Sequence, residues 1–140
     1  MEIYERRAFY HETDQMGVIH HANYLKWLEE ARVRFIDKQG ITYRSMEEAG
    51  IISPVVSINI EYKSPAKFDD VVIIETTLER YTGSKCEFSY VIKDKETGTV
   101  RVKAHSMHCF IKDGTIISLK RSAPDFHKAF EDYVTSNQAL

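Results

Sequence analysis

The segment from Tyr10 to Tyr24 gathers the side chains of this chain that are best suited to acid–base or nucleophilic chemistry. Asp14 is followed by Gly17 and by two adjacent imidazoles, His20 and His21. A carboxylate can attack an electrophilic carbonyl carbon, or it can activate a water molecule as a general base. The segment therefore predicts a candidate catalytic site with Asp14 at its centre.

The same segment leads into a predicted helix, and a helix start suits an anion. The first turn offers unpaired backbone N–H groups and the positive end of the helix dipole, which favour an oxygen that becomes negative during acyl transfer. Without further context, an aspartate in the position of Asp14 is more often a turn or capping residue than a catalytic one. His20 and His21 alone are more often a pair satisfied by backbone carbonyls. The segment has no third ligand at metal spacing, so no metal site is predicted.

Two further segments combine polar and cationic groups and could hold an anion. Thr82-Gly83-Ser84-Lys85 has two hydroxyls, an ammonium and a flexible glycine, and Lys63-Ser64-Pro65-Ala66-Lys67 is similar. By composition alone, an ordinary turn is the commoner interpretation of both.

These candidate residues must be positioned by strands and one long helix. Apolar residues recur at three- and four-residue steps from Ala22 to the stop at Gly40, which predicts an amphipathic helix. Ser122-Ala123-Pro124-Asp125 opens a helix near the C-terminus, and the polar tail from Thr135 to Leu140 is expected to be frayed. Alternation and turn residues predict strands at Ile3–Tyr10, Ile51–Tyr62, Val71–Tyr81, Lys85–Asp94, Thr99–Lys112 and Thr115–Leu119, and a short helix at Arg44–Ala49.

The order of strand, long helix and a run of antiparallel strands is an α+β layout. The expected fold is a sheet of about five strands that wraps around the helix and buries its apolar face. One helix cannot cover such a sheet completely, so a homo-oligomer is expected.

Composition limits the class of protein further. The 140 residues form one expected domain, 1–140, with a net charge of -2, which argues against a nucleic-acid partner. Two cysteines without a CxxC pattern favour a reducing cytoplasm. No apolar run is long enough for a membrane span, and the N-terminus has no secretory signal pattern.

Two motifs together resemble the hotdog-fold acyl-CoA thioesterases. The first runs from Thr13-Asp14 through Gly17-Val18-Ile19 to Asn23-Tyr24. The second runs from Ser53-Pro54 to the Asp69-Asp70 pair. The chain is most similar to the 4-hydroxybenzoyl-CoA thioesterase-like family, and within it to the Tol–Pal-associated acyl-CoA thioesterases. The agreement in element order covers about 125 residues.

The resemblance implies a role for particular residues. Asp14 matches the catalytic carboxylate, which attacks the thioester carbonyl or activates water, and His21 matches a histidine that assists catalysis or orients the substrate. The backbone N–H near Ser53 matches the group that polarises the thioester carbonyl. Substrate contacts are expected at Tyr10, Gly17, Val18, Ser53, Ser64, Thr82, Gly83, Ser84 and Lys85.

The resemblance also implies an activity and an assembly. The expected reaction is hydrolysis of a short- or medium-chain, or aromatic, acyl-CoA to the free acid and CoA, without metal or cofactor. Family members are dimers with a continuous sheet, often paired into tetramers, and their active site lies at the dimer interface. Three alternatives stay open: hydrolysis of acyl-carrier-protein thioesters, a non-catalytic acyl-CoA-binding protein, and a dehydratase, which fits the motif less well.

Overall fold

The computed structural model describes residues 1–138. Within them lie eight strands: β1 (Glu2–Arg7), β2 (Ile51–Ile52), β3 (Val55–Tyr62), β4 (Val71–Tyr81), β5 (Lys85–Asp94), β6 (Val100–Cys109), β7 (Ile111–Lys112) and β8 (Thr115–Ile116). The same residues form four α-helices: α1 (His21–Asp37), α2 (Tyr43–Glu48), α3 (Leu119–Ser122) and α4 (Pro124–Gln138).

Five strands form one antiparallel sheet in the order β1-β4-β5-β6-β3, and α1 packs against one of its faces. A second small sheet has the order β2-β7-β8. The predicted α+β layout, with about five strands against one long helix, is confirmed.

The core lies between α1 and the central strands. Tyr24, Trp27, Leu28, Ala31 and Phe35 recur at helical spacing and are buried. Their side chains meet the inward residues of β4 and β5, where buried and partly exposed positions alternate along each strand. This burial of apolar surface holds the helix across the sheet and fixes where its N-terminus stands.

Two predicted strands are each divided in the structure. The predicted strand Ile51–Tyr62 breaks at Ser53-Pro54, because proline has no N–H to donate to a ladder. The predicted strand Thr99–Lys112 breaks at Phe110, and the separated ends pair with each other as β2 and β7. The prediction of two continuous strands is therefore wrong.

Three other element boundaries differ from prediction by three or more residues. The first strand ends at Arg7, and residues 10–12 form a short 3-10 helix. The predicted strand Thr115–Leu119 ends at Ile116, and Leu119 begins α3. The expectation of a frayed tail is wrong from Thr135 to Gln138, which belong to α4, while Ala139 and Leu140 lie outside the described residues.

Strand β3 is an edge strand whose side chains are exposed on both faces. It pairs with β6 on one side, and no strand within residues 1–138 pairs with its other side. Val55, Val56 and Ile58 are all more than a third exposed. An open edge with apolar side chains is a surface that can pair with another strand.

Candidate active site

Asp14 lies on a tight loop between the 3-10 helix and α1, and the loop closes on itself. The Asp14 N–H donates to the Val18 carbonyl at 2.8 Å. Its Oδ1 accepts hydrogen bonds from the backbone N–H groups of Met16 at 2.8 Å and Val18 at 3.4 Å. Oδ2 accepts no hydrogen bond from residues 1–138. One carboxylate oxygen therefore orients the side chain, and the other is available for reaction.

Glu12 is the other carboxylate of the segment, and its acceptor positions are occupied. It is 2% exposed, and it accepts hydrogen bonds from Arg6, Trp27 and the Phe9 N–H. Burial alone would raise the pKa of Glu12, but these donors outweigh it and hold the pKa below its ordinary value. Glu12 is therefore an ionised structural acceptor, which leaves Asp14 as the candidate base or nucleophile.

The first turn of α1 has one free backbone donor. His20 caps the helix, because its Nδ1 accepts from the Ala22 N–H at 3.2 Å. The Asn23 N–H donates to the His20 carbonyl at 2.9 Å. The His21 N–H makes no hydrogen bond within the described part of the chain. Because this N–H also lies at the positive end of the helix, it can stabilise a developing oxyanion.

A cavity of about 330 Å³ opens beside this loop and the start of α1. That volume is within the usual range of small-ligand sites. Four predicted site residues line it: Asp14, Val18, His21 and Ser64. The other lining residues are Met16, Ile19, Tyr24, Tyr62, Lys63 and Pro65.

Two tyrosines form a wall of the cavity that the sequence analysis did not identify. Tyr62, at the end of β3, donates its hydroxyl to the His21 carbonyl at 3.3 Å. The Tyr24 hydroxyl accepts from the Ala66 N–H at 3.0 Å, and burial raises the pKa of Tyr24. Tyr24 ends the first motif and Tyr62 lies within the second, but no substrate contact was expected at either tyrosine. Pairing of distant segments brings the two side chains together at the cavity.

Ser64 lines the cavity, but its hydroxyl is already engaged. It donates to the Val100 carbonyl at 2.7 Å and accepts from Arg101 at 3.1 Å. These bonds fix the wall of the cavity that faces the Asp14 loop.

The other predicted substrate contacts are not among the residues that line this cavity. Tyr10 is 75% exposed and packs edge-on against Phe68, while Ser53 is buried just before β3. Gly17 forms the turn of the Asp14 loop with a φ of 78°. Thr82-Gly83-Ser84-Lys85 forms the hairpin turn between β4 and β5, and Thr82 and Lys85 line a separate cavity of about 150 Å³.

Among the helices that the structure describes, none combines the length and apolar character needed to cross a bilayer.

The comparisons with known proteins agree with this geometry. Residues 10–131 match the model of the thioesterase-like superfamily. YneP of Bacillus subtilis (strain 168), which is named provisionally as an acyl-CoA thioesterase, is 40% identical over 87% of this chain and 89% of its own length. The acyl-CoA thioesterase YbgC of Haemophilus influenzae is 32% identical over 59% of this chain and 61% of its own length.

A solved structure is also similar over nearly the whole chain. The DHNA-CoA thioesterase from Staphylococcus aureus superposes with a TM-score of 0.91 and 37% identity, and the match covers 98% of this chain and 93% of that one. The chain therefore belongs to the thioesterase-like superfamily of hotdog-fold thioester hydrolases.

Proposed function

We propose that this protein hydrolyses acyl-CoA thioesters and that Asp14 is the reacting carboxylate. The observation that carries the proposal is the state of the two Asp14 oxygens. Oδ1 accepts from backbone donors, whereas Oδ2 accepts no hydrogen bond from residues 1–138, and the Asp14 side chain lines a cavity of ligand size. Relatives named as acyl-CoA thioesterases support this substrate class.

Two routes fit a carboxylate in this position. In the first, Oδ2 attacks the thioester carbonyl carbon, the C–S bond breaks, CoA leaves as a thiolate, and water hydrolyses the acyl-aspartyl anhydride. In the second, Oδ2 takes a proton from water, which attacks the carbonyl carbon directly. Incorporation of labelled oxygen into Asp14 during turnover distinguishes the two routes.

His21 contributes to the proposed site in two ways. Its backbone N–H is directed by the helix start and stabilises the oxyanion of the tetrahedral intermediate. Its imidazole lines the same cavity as Asp14, where it assists catalysis or orients the substrate. Neither route requires a metal or a redox cofactor.

We also propose that two copies pair through β3 to form a homodimer. Antiparallel pairing of an edge strand with its own copy extends the sheet and covers Val56 and Ile58. It also places the beginning of one β3 beside the end of the other. Ser53 of one subunit then approaches the Asp14 cavity of its partner, which explains why Ser53 is not among the residues that line the cavity of its own chain. We further propose that the segment from Thr82 to Lys85 contacts CoA. We also propose that two dimers pair into a tetramer.

The proposed acyl group is short, medium-chain or aromatic. The cavity has apolar and aromatic walls, formed by Tyr24, Tyr62, Val18 and Ile19, and Met16 also lines it. The similarity to a DHNA-CoA thioesterase makes an aromatic acyl-CoA a necessary member of any substrate panel.

A panel of acyl-CoA thioesters with a thiol-trapping dye tests the proposal. We expect release of free CoA from at least one short-chain, medium-chain or aromatic substrate, DHNA-CoA included. Tight binding of acyl-CoA without CoA release would instead support a non-catalytic binding protein. A parallel series of acyl-carrier-protein thioesters should also be assayed. Turnover of these substrates alone would support an acyl-carrier-protein thioesterase.

We propose the cytoplasm as the site of action. Cys86 and Cys109 are buried and unpaired, as expected in a reducing compartment. Burial raises the pKa of the Cys86 thiol to about 12. The native protein is therefore expected to react slowly with the dye, which keeps the background of the CoA-release assay low.

A further inference from the structure

Glu12 joins three separate elements through one buried side chain. Arg6 of β1 donates two hydrogen bonds to its carboxylate, at 2.7 and 2.8 Å. The indole N–H of Trp27 in α1 donates to Oε2 at 2.8 Å, and the Phe9 N–H donates to Oε1 at 2.8 Å. Two charge-assisted bonds and two neutral donors make this a strongly held carboxylate.

The Arg6 guanidinium is itself fixed on several sides. It lies 4.9 Å from the Phe9 ring centre and 4.7 Å from that of Trp27, and its Nε donates to Glu30 at 2.7 Å. Glu30 also accepts from Tyr4 at 2.8 Å. Arg6 thus has two carboxylate partners, and only Glu12 contacts the residues that lead to Asp14.

The main chain of Glu12 binds the far end of the Asp14 loop. Its carbonyl accepts from the His20 N–H at 2.8 Å and from the Asn23 side chain at 2.9 Å. Residue 12 therefore holds both ends of the loop that carries Asp14. Within that loop Met16 is 82% exposed, so its side chain does little to fix the loop in place.

We infer that Glu12 is a positioning residue for Asp14. The inference rests on the proposed function, because it assigns Glu12 a part in the same reaction. The carboxylate sets the angle between β1 and α1, and through the loop ends it sets where Oδ2 of Asp14 meets the thioester carbonyl. Displacement of a reacting group by about 1 Å can cost roughly a hundredfold in rate.

The test compares Glu12→Gln and Trp27→Phe with a matched control, Glu30→Gln. The control removes the other carboxylate partner of Arg6 but leaves every Glu12 contact to the loop and α1 in place. At a temperature well below each melting transition, we expect Glu12→Gln to lower kcat at least tenfold with KM within about threefold of wild type. Trp27→Phe should also lower kcat, and Glu30→Gln should leave kcat within about twofold of the wild-type value.

Amide hydrogen exchange at Met16 and Val18, followed by NMR, provides a readout without activity. Both N–H groups donate to Asp14 Oδ1. We expect at least tenfold faster exchange in the Glu12 and Trp27 variants and unchanged exchange in Glu30→Gln. If the wild-type protein releases no CoA, the proposed function fails while this readout still decides the positioning role.

Two outcomes overturn the inference. One is a folded Glu12→Gln protein with wild-type kcat and wild-type exchange in the loop. The other is an equal loss of kcat in Glu30→Gln, which would make the effect a general consequence of weakening the Arg6 cluster. If Glu12→Gln does not fold, Trp27→Phe decides, because it removes one donor and keeps the ion pair.

Discussion

Asp14 and Val18 are hydrogen-bonded in both directions across the loop that precedes α1. The Asp14 N–H donates to the Val18 carbonyl at 2.8 Å, and the Val18 N–H lies 3.4 Å from Asp14 Oδ1. The orientation of the carboxylate is therefore set by backbone within five residues. This local closure is what leaves Oδ2 in a defined position at the cavity.

Gly17 makes that closure possible, and its replacement tests the backbone requirement. Its φ is 78°, and a methyl group at its Cβ position would meet no atom within 4 Å. The cost of Gly17→Ala is therefore conformational, and we expect a loss of about 1 kcal/mol in the free energy of unfolding. Gly17→Asn should cost less, because asparagine tolerates left-handed backbone. Urea unfolding measures both, and equal stability of Gly17→Ala and wild type contradicts the account.

The sequence predicted the local half of this site well. The spacing around Asp14, the helix that follows it and the turn at Gly17 depend on neighbours within a few residues.

The non-local half of the site could not be predicted from spacing. Tyr62 reaches the cavity because β3 pairs with β6. Tyr24 lies on the buried face of α1 and also lines the cavity. Pro54 can be read from the sequence as a residue that interrupts a strand. The pairing of β2 with β7, in contrast, depends on where these two segments of the chain separate from the main sheet. Such contacts follow from tertiary packing and leave no periodic signal.

The exposed β3 edge predicts a dimer that a single charge disrupts. Ile58 lies in the middle of the strand and is 41% exposed. Ile58→Lys places a charge in the proposed interface, where burial without a partner is costly. We expect wild type to have twice the chain mass by light scattering coupled to size exclusion, and Ile58→Lys to have the mass of one chain.

Ile3→Lys is the matched control for this experiment. Ile3 is 52% exposed on β1, the strand at the opposite edge of the same sheet. The control should remain dimeric. A monomeric wild type, or dissociation of the Ile3 variant alone, contradicts pairing through β3.

Buried His108 predicts a pH-dependent stability. Burial and the nearby Arg32 guanidinium lower the pKa of His108 to about 4, against an ordinary value of 6.5, although the Ser53 and Pro54 backbone partly opposes them. Between these values the unfolded chain binds more protons, so the free energy of unfolding falls as pH decreases from 6.5 toward 4. The contribution of His108 over this range is roughly 3 kcal/mol.

Urea unfolding at pH 7.5, 5.5 and 4.5 at fixed protein concentration measures this dependence. Because carboxylates also titrate at low pH, the comparison is with His108→Gln, which retains a hydrogen-bonding side chain beside Ser106. As pH decreases, we expect the free energy of unfolding to fall less in His108→Gln than in wild type. In His105→Gln it should fall by the same amount as in wild type. Identical pH dependence of the His108 variant and wild type would show that His108 is not responsible.

The central claim is that Asp14 supplies the reacting oxygen, and Asp14→Asn tests it most directly. Asparagine keeps an oxygen that can accept from the Met16 N–H, so the loop is expected to fold, but it has no carboxylate to attack or to take a proton. Asp132→Asn on the exposed face of α4 controls for the loss of one charge. Measured as kcat for CoA release on the best substrate of the panel, we predict a loss of at least a hundredfold for Asp14→Asn and wild-type turnover for Asp132→Asn. Wild-type turnover by a folded Asp14→Asn protein would contradict the account.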